Sequence, residues 1–153
     1  MTESRFLPGF RLDWKLVNGV RIHYASAGDG PPVLLLHGHP QTHVVWRKIA
    51  PDLVKAGYSV VASDLRGYGD SEKVPSHAPH HPYAKRERAK DQVARMRALG
   101  HDRFAVVGHD RGGRVAHRMA LDHPEAVDRL VVLDIAPTLT MYERTDQSFA
   151  TRH

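Results

Sequence analysis

The sequence contains no cysteine, so it has neither a disulfide framework nor a thiolate metal site. It also lacks a long hydrophobic run. Val33-Leu34-Leu35-Leu36 is as long as any apolar stretch in the chain, far below the ~20 residues a membrane helix needs. The first ten residues show no extended apolar segment, unlike a secretory signal. Neither sign of charge dominates: 22 Lys+Arg stand against 17 Asp+Glu, a formal net charge of +5. These absences exclude a disordered acidic tail, a collagen-like repeat and a coiled coil. A cytoplasmic protein with no membrane partner is the expectation.

What is present fits one globular unit. The 153 residues suit a single domain. Apolar residues at 41% and charged residues at 25% are ordinary for a packed core under a solvated surface. The pI near 9.7 raises the question of nucleic acid. Its basic residues gather at Lys85, Arg86, Arg88, Lys90, Arg95 and Arg97 on one predicted helix, interspersed with Glu87 and Asp91. No nucleic-acid motif accompanies them. A solvated helix face is therefore expected, with no nucleic-acid partner.

Extended runs at 10–17 and 20–27 flank Asn18-Gly19, a strong short-range hairpin signal because both residues tolerate positive φ. Residues 33–36 and 58–63 read as strands buried on both faces, apolar without alternation. Further strands are predicted at 104–107 and 130–133. Helices are predicted at 44–56 (with Pro51 kinking or resetting the run), 83–99 and 112–121. Strands alternating with helices predict a mostly parallel sheet, helices on both faces, preceded by a β-hairpin. In such sheets chemistry gathers beyond the carboxyl ends of the strands.

The residues there include Gly108-His109-Asp110-Arg111-Gly112. The spacing is Gly-x-nucleophile-x-Gly, with Asp as the central residue. A sharp turn from strand to helix forces that residue into a strained backbone and exposes its side chain. The alternative for Asp110 is an N-cap of the following helix. Two neighbours favour the nucleophile. A loop at His37-Gly38-His39-Pro40 can present the amide of His39, which with the amide of Arg111 would form an oxyanion hole. Asp134, ending another strand, can orient a catalytic imidazole. The Gly-rich loop at 64–71 reads as a turn around the site without a catalytic residue.

Residues 34–46 (LLLHGHPQTHVVW), 64–71 (DLRGYGDS), 104–124 (FAVVGHDRGGRVAHRMALDHP) and 133–138 (LDIAPT) together resemble the first half of an α/β-hydrolase, close to the haloacetate (fluoroacetate) dehalogenases. Epoxide hydrolases and haloalkane dehalogenases are also similar but usually carry Trp directly after the Asp. Here Arg111 takes that place and Arg114 follows one helical turn later. Guanidinium donor forks match a carboxylate. The resemblance implies that Arg111 and Arg114 bind the carboxylate of a small anionic substrate, a haloacetate. Asp110 would displace halide to form an ester. A histidine held by Asp134 would activate the water that hydrolyses it. No cofactor and no metal are implied.

The same resemblance places the general-base histidine and a helical cap downstream. It therefore implies that 1–153 is a partial core domain with impaired turnover, and that full-length relatives form homodimers. Alternatives are an epoxide-hydrolase-like or other α/β-hydrolase, a non-catalytic remnant, or a ligand receptor of the same fold. Metal-binding readings for His37, His39 and His43, or for His77, His80 and His81, are weaker than loop histidines. His153 as a substitute base is weaker still.

Overall fold

The computed structural model describes residues 2–75, 81–137, 139, 140 and 143. Strand β1 (Thr2–Glu3) pairs antiparallel with β2 (Arg11–Val17), which continues into β3 (Val20–Ala27). Asn18 and Gly19 turn between them at φ of 49° and 73°, as the hairpin signal requires. β4 (Pro32–Leu36) and β5 (Ser59–Ser63) pair in parallel, and β3 closes antiparallel on β5. β6 (Phe104–His109) and β7 (Val127–Leu133) extend the parallel part, giving the order β1-β2-β3-β5-β4-β6-β7.

Helices cover both faces. Leu34 and Leu36 of β4 point to one side, where they pack with Val93 and Met96 of α2 (Lys85–Ala98) and Val115 and Met119 of α3 (Arg111–Asp122). Val33 and Leu35 point to the other, against Trp46 and Ala50 of α1 (Ala50–Lys55) and its approach. This two-sided burial is why β4 and β5 read as continuous apolar runs.

The predicted helix at 44–56 is two pieces, a 3-10 turn (His43–Lys48) and then α1. Pro51 sits in the first turn of α1, where its missing N–H costs nothing, so it restarts the helix.

The basic face of α2 differs from expectation in a second way. Arg88 and Arg95 are buried, not solvated. Arg95 lies over the ring of Tyr24, 5.1 Å from its centroid, and donates to Gln92 Oε1 at 2.8 Å. Burial lowers its pKa to about 9. Sequence periodicity did not separate these two arginines from their exposed neighbours, because long charged side chains bury their stems anywhere along a helix.

β7 is the final strand of the described sheet. Its Leu130, Val131, Val132 and Leu133 remain partly exposed, an apolar edge of the described sheet.

Candidate active site

The turn between β6 and α3 is the sharpest feature at the carboxyl edge of the sheet. Asp110 has φ 48° and ψ −116°, a backbone few non-glycine residues adopt. Its amide donates to Leu133 O at 3.0 Å, anchoring the turn to the end of β7. It stands at the N-cap position of α3, yet its side chain makes no capping hydrogen bond. The residue thus occupies the capping position without making the capping bond of that alternative.

Two glycines make the turn possible. A Cβ at Gly108 would lie 2.4 Å from Gly112 O, and one at Gly112 would lie 2.3 Å from Leu36 O. No side chain fits between these backbones, so the start of α3 presses directly on the ends of β4 and β6.

His39 N donates to Asp110 Oδ2 at 2.9 Å, so the expected approach of the two loops is present. Burial works to raise the Asp110 pKa. Hydrogen bonds from the His39 and Arg111 amides, with His109 and Arg114 nearby, outweigh it and hold the carboxyl below its usual range. Asp110 is thus ionised at neutral pH, with two backbone N–H groups on its oxygens.

The loop carrying His39 is fixed from behind. Buried His37 accepts from Leu65 N through Nε2 at 3.0 Å, so the proton belongs on Nδ1, which donates to Gly38 O at 2.7 Å. One neutral imidazole therefore ties the loop after β4 to the end of β5. Burial pushes the His37 pKa below 6.5. Its protonation opposes folding, because the unfolded chain takes up the proton first. Stability is expected to fall as pH drops below about 6.5, by up to about 1.4 kcal/mol per pH unit, until the folded-state pKa is passed. Urea unfolding from pH 8 to 5 measures this, and His37→Gln should flatten the decline.

Arg111 and Arg114 both line a cavity of about 550 Å³ above Asp110, with His39, Tyr83, Lys85 and Arg88. Arg111 Nη1 donates to Tyr68 OH at 3.0 Å, and the buried Nε of Arg114 has no partner among the described residues. Arg111 makes no ion pair with an acid among the described residues; its partner is the Tyr68 hydroxyl. Asp134 also has positive φ (56°) and is largely exposed, its Oδ2 3.6 Å from His109 Nε2.

Sequence reasoning passed over several residues at this site. Tyr68 lies in the loop read as a plain turn, yet its hydroxyl meets Arg111 and also His39 Nδ1 at 3.2 Å. Gln41 Oε1 accepts from Gly38 N at 3.0 Å and lies 3.0 Å from His109 Nδ1. The available signal was position alone: both sit in loops that follow parallel strands.

One cluster offers metal-ligand types. His23, His43 and Asp64 bring donor atoms within 4.8 Å of one another, all buried. His23 Nδ1 and His43 Nδ1 already bond the two Asp64 oxygens at 2.8 and 3.0 Å. Both Nδ1 atoms are thus engaged in a hydrogen-bonded lock on Asp64, while His23 Nε2 is buried without a hydrogen-bond partner among the described residues. Among the histidines weighed from sequence, His37 and His39 are occupied as described, while His77, His80 and His153, with the His81 side chain, lie outside the described residues.

Comparison with known proteins places this geometry. The family described as alpha/beta hydrolase fold matches residues 31–152. The chain belongs to the α/β-hydrolase family. It is 53% identical over 143 residues to a fluoroacetate dehalogenase from a Burkholderia species, covering 93% of this chain and 46% of that protein. A soluble epoxide hydrolase from a Corynebacterium species is 44% identical over 124 residues, covering 81% and 41%. A crystal structure of a Nostoc protein, provisionally described as an α/β hydrolase, is 56% identical with a TM-score of 0.88, covering 93% and 48%. The chain thus spans about half the length of the relatives it matches. As in other α/β-hydrolases, the parallel core follows an antiparallel hairpin, and the elbow of this one carries aspartate.

Proposed function

We propose that this α/β-hydrolase site takes a 2-halo acid and displaces its halide through an aspartyl ester. An Asp110 oxygen bonds to the halogen-bearing carbon while the carbon–halogen bond breaks and halide leaves with the electron pair. The observation that supports this most is a single cavity holding an ionised carboxylate beside Arg111 and Arg114, with neither arginine engaged by an acid among the described residues. Two guanidiniums with spare donors suit a substrate carboxylate. They also bring the adjoining carbon within reach of Asp110 and offset the repulsion between two anions. A neutral epoxide would bring no further counter-charge to the arginines, so the epoxide-hydrolase reading fits this pocket less well.

In this reading the amides of His39 and Arg111 meet the oxyanion formed when water attacks the ester carbonyl. Asp134 is assigned to orient the imidazole that activates that water. Among the described residues only His109 approaches Asp134, and His109 is also engaged by Gln41. Ester formation is therefore the half-reaction these residues support.

Chloroacetate incubated with the purified chain should release close to one equivalent of chloride and then stop, with a covalent adduct on the Asp110 peptide by mass spectrometry. Absence of both chloride and adduct would overturn the reading. Sustained multi-turnover release would overturn the restriction to one half-reaction.

A further inference from the structure

Four cations, Lys85, Arg88, Arg111 and Arg114, line the cavity above Asp110, which is the one carboxylate in its wall among the described residues. A haloacetate brings a single further negative charge. It would leave two cations without a counterpart, and the position of Arg88 makes that imbalance specific.

Arg88 is 8% exposed, on the first turns of α2. Its guanidinium lies against the rings of Tyr68 and Tyr83, 5.3 and 5.5 Å from their centroids. Its Nε is buried without a hydrogen-bond partner among the described residues. Buried charges are ordinarily paired, and stacking on two rings offsets desolvation less well than a carboxylate does. Tyr68 is shared: its hydroxyl accepts from Arg111 while its ring carries Arg88. The two guanidiniums therefore meet on a single tyrosine and border one cavity. Lys85, three residues earlier on α2, lines the same cavity.

Resting on the halo-acid reading above, we infer that Arg88 and Lys85 form a second anion subsite, so that the preferred substrate is a 2-halo dicarboxylic acid. One carboxylate sits on Arg111 and Arg114, and the carbon beside it faces Asp110. The second carboxylate, carried on the neighbouring carbon, reaches Arg88 and Lys85. The chemistry at Asp110 is unchanged: with 2-chlorosuccinate a C–O bond forms at the chlorine-bearing carbon, and chloride leaves with the bonding pair.

The test is calorimetric titration of the chain with the unreactive probes acetate and succinate at one fixed ionic strength, beside adduct formation with chloroacetate and 2-chlorosuccinate. Succinate should bind at least about tenfold more tightly than acetate. Arg88→Met should reduce that preference to about twofold or less, and Arg88→Lys, which keeps the charge, should retain part of it. Equal affinity for the two probes in the unaltered chain overturns the proposal without recourse to any variant. So does a preference that survives Arg88→Met. A succinate preference dependent on Arg88, with no adduct from either halo acid, would overturn the Asp110 ester reading and leave the subsite standing. Adducts without the preference would do the reverse.

Discussion

Asp110→Asn is expected to abolish ester formation with chloroacetate, by at least about a thousandfold in rate, while the chain stays folded and still binds acetate. The amide oxygen of Asn carries no negative charge and is a far weaker nucleophile. The fold should tolerate the exchange because Asn is among the few residues that accept positive φ, and φ here is 48°. The amides of His39 and Arg111, which bond the carboxylate, would keep an acceptor in the side-chain carbonyl. Acetate binding rests on Arg111 and Arg114 and should tighten if it changes at all, since one repelling charge is removed. Chloride release and intact mass measure the first effect, and titration measures the second. Chloride release from Asp110→Asn at the unaltered rate would remove Asp110 as nucleophile. Loss of acetate binding would remove the arginines as the anion site.

The fold was largely legible because its signals are local. Asn18-Gly19 specifies its turn through backbone conformation, and the apolar runs of β4 and β5 follow from burial on both faces. The elbow could be read because two backbones pass within a Cβ of each other at Gly108 and Gly112, leaving only glycine possible. Legibility ended where the deciding contact is between distant segments. Tyr68 looks like a loop residue until Arg111, 43 positions away, donates to its hydroxyl. Arg88 and Arg95 look like members of a solvated stripe, since helical spacing does not reveal which turn of α2 faces a tyrosine. The cluster of His23, His43 and Asp64 spans 41 positions and left no pattern in the sequence at all.

That cluster gives the largest expected effect on stability. Asp64 is buried and accepts from His23 Nδ1, from the Nδ1 and backbone N–H of His43, and from Asp70 N at 3.3 Å. It thereby joins the hairpin, the 3-10 turn and the loop carrying Tyr68. Gly69 presses so close that a Cβ there would lie 2.4 Å from Asp64 Oδ2, so the loop is wrapped onto this carboxylate. Burial works to raise the Asp64 pKa, but the hydrogen bonds from His23 and His43 more than reverse this and hold it far below the carboxylate range. A depressed folded-state pKa contributes stability above the unfolded value of about 3.9. That contribution begins to fall as pH drops below the unfolded value and is gone only once the folded value is passed, so it is fully present at neutral pH.

Asp64→Ala should therefore cost about 3–5 kcal/mol at pH 7, because it strands the buried donors of His23 and His43. For a chain of this size that corresponds to a fall of roughly 10 °C in Tm. Asp64→Asn keeps one acceptor and should cost less, and its deficit relative to the unaltered chain should shrink in strong acid as the carboxylate there is protonated. The loop that holds Tyr68 loses its anchor in both variants, so adduct formation at Asp110 should slow even under conditions where the chain remains folded. Urea unfolding at pH 7 and pH 3 measures the stability losses, and the rate of adduct formation by the folded variants measures the effect on the loop. A loss below about 1 kcal/mol for Asp64→Ala would mean that the lock is ornamental and that Tyr68 is held by its own contacts with Arg88 and Arg111.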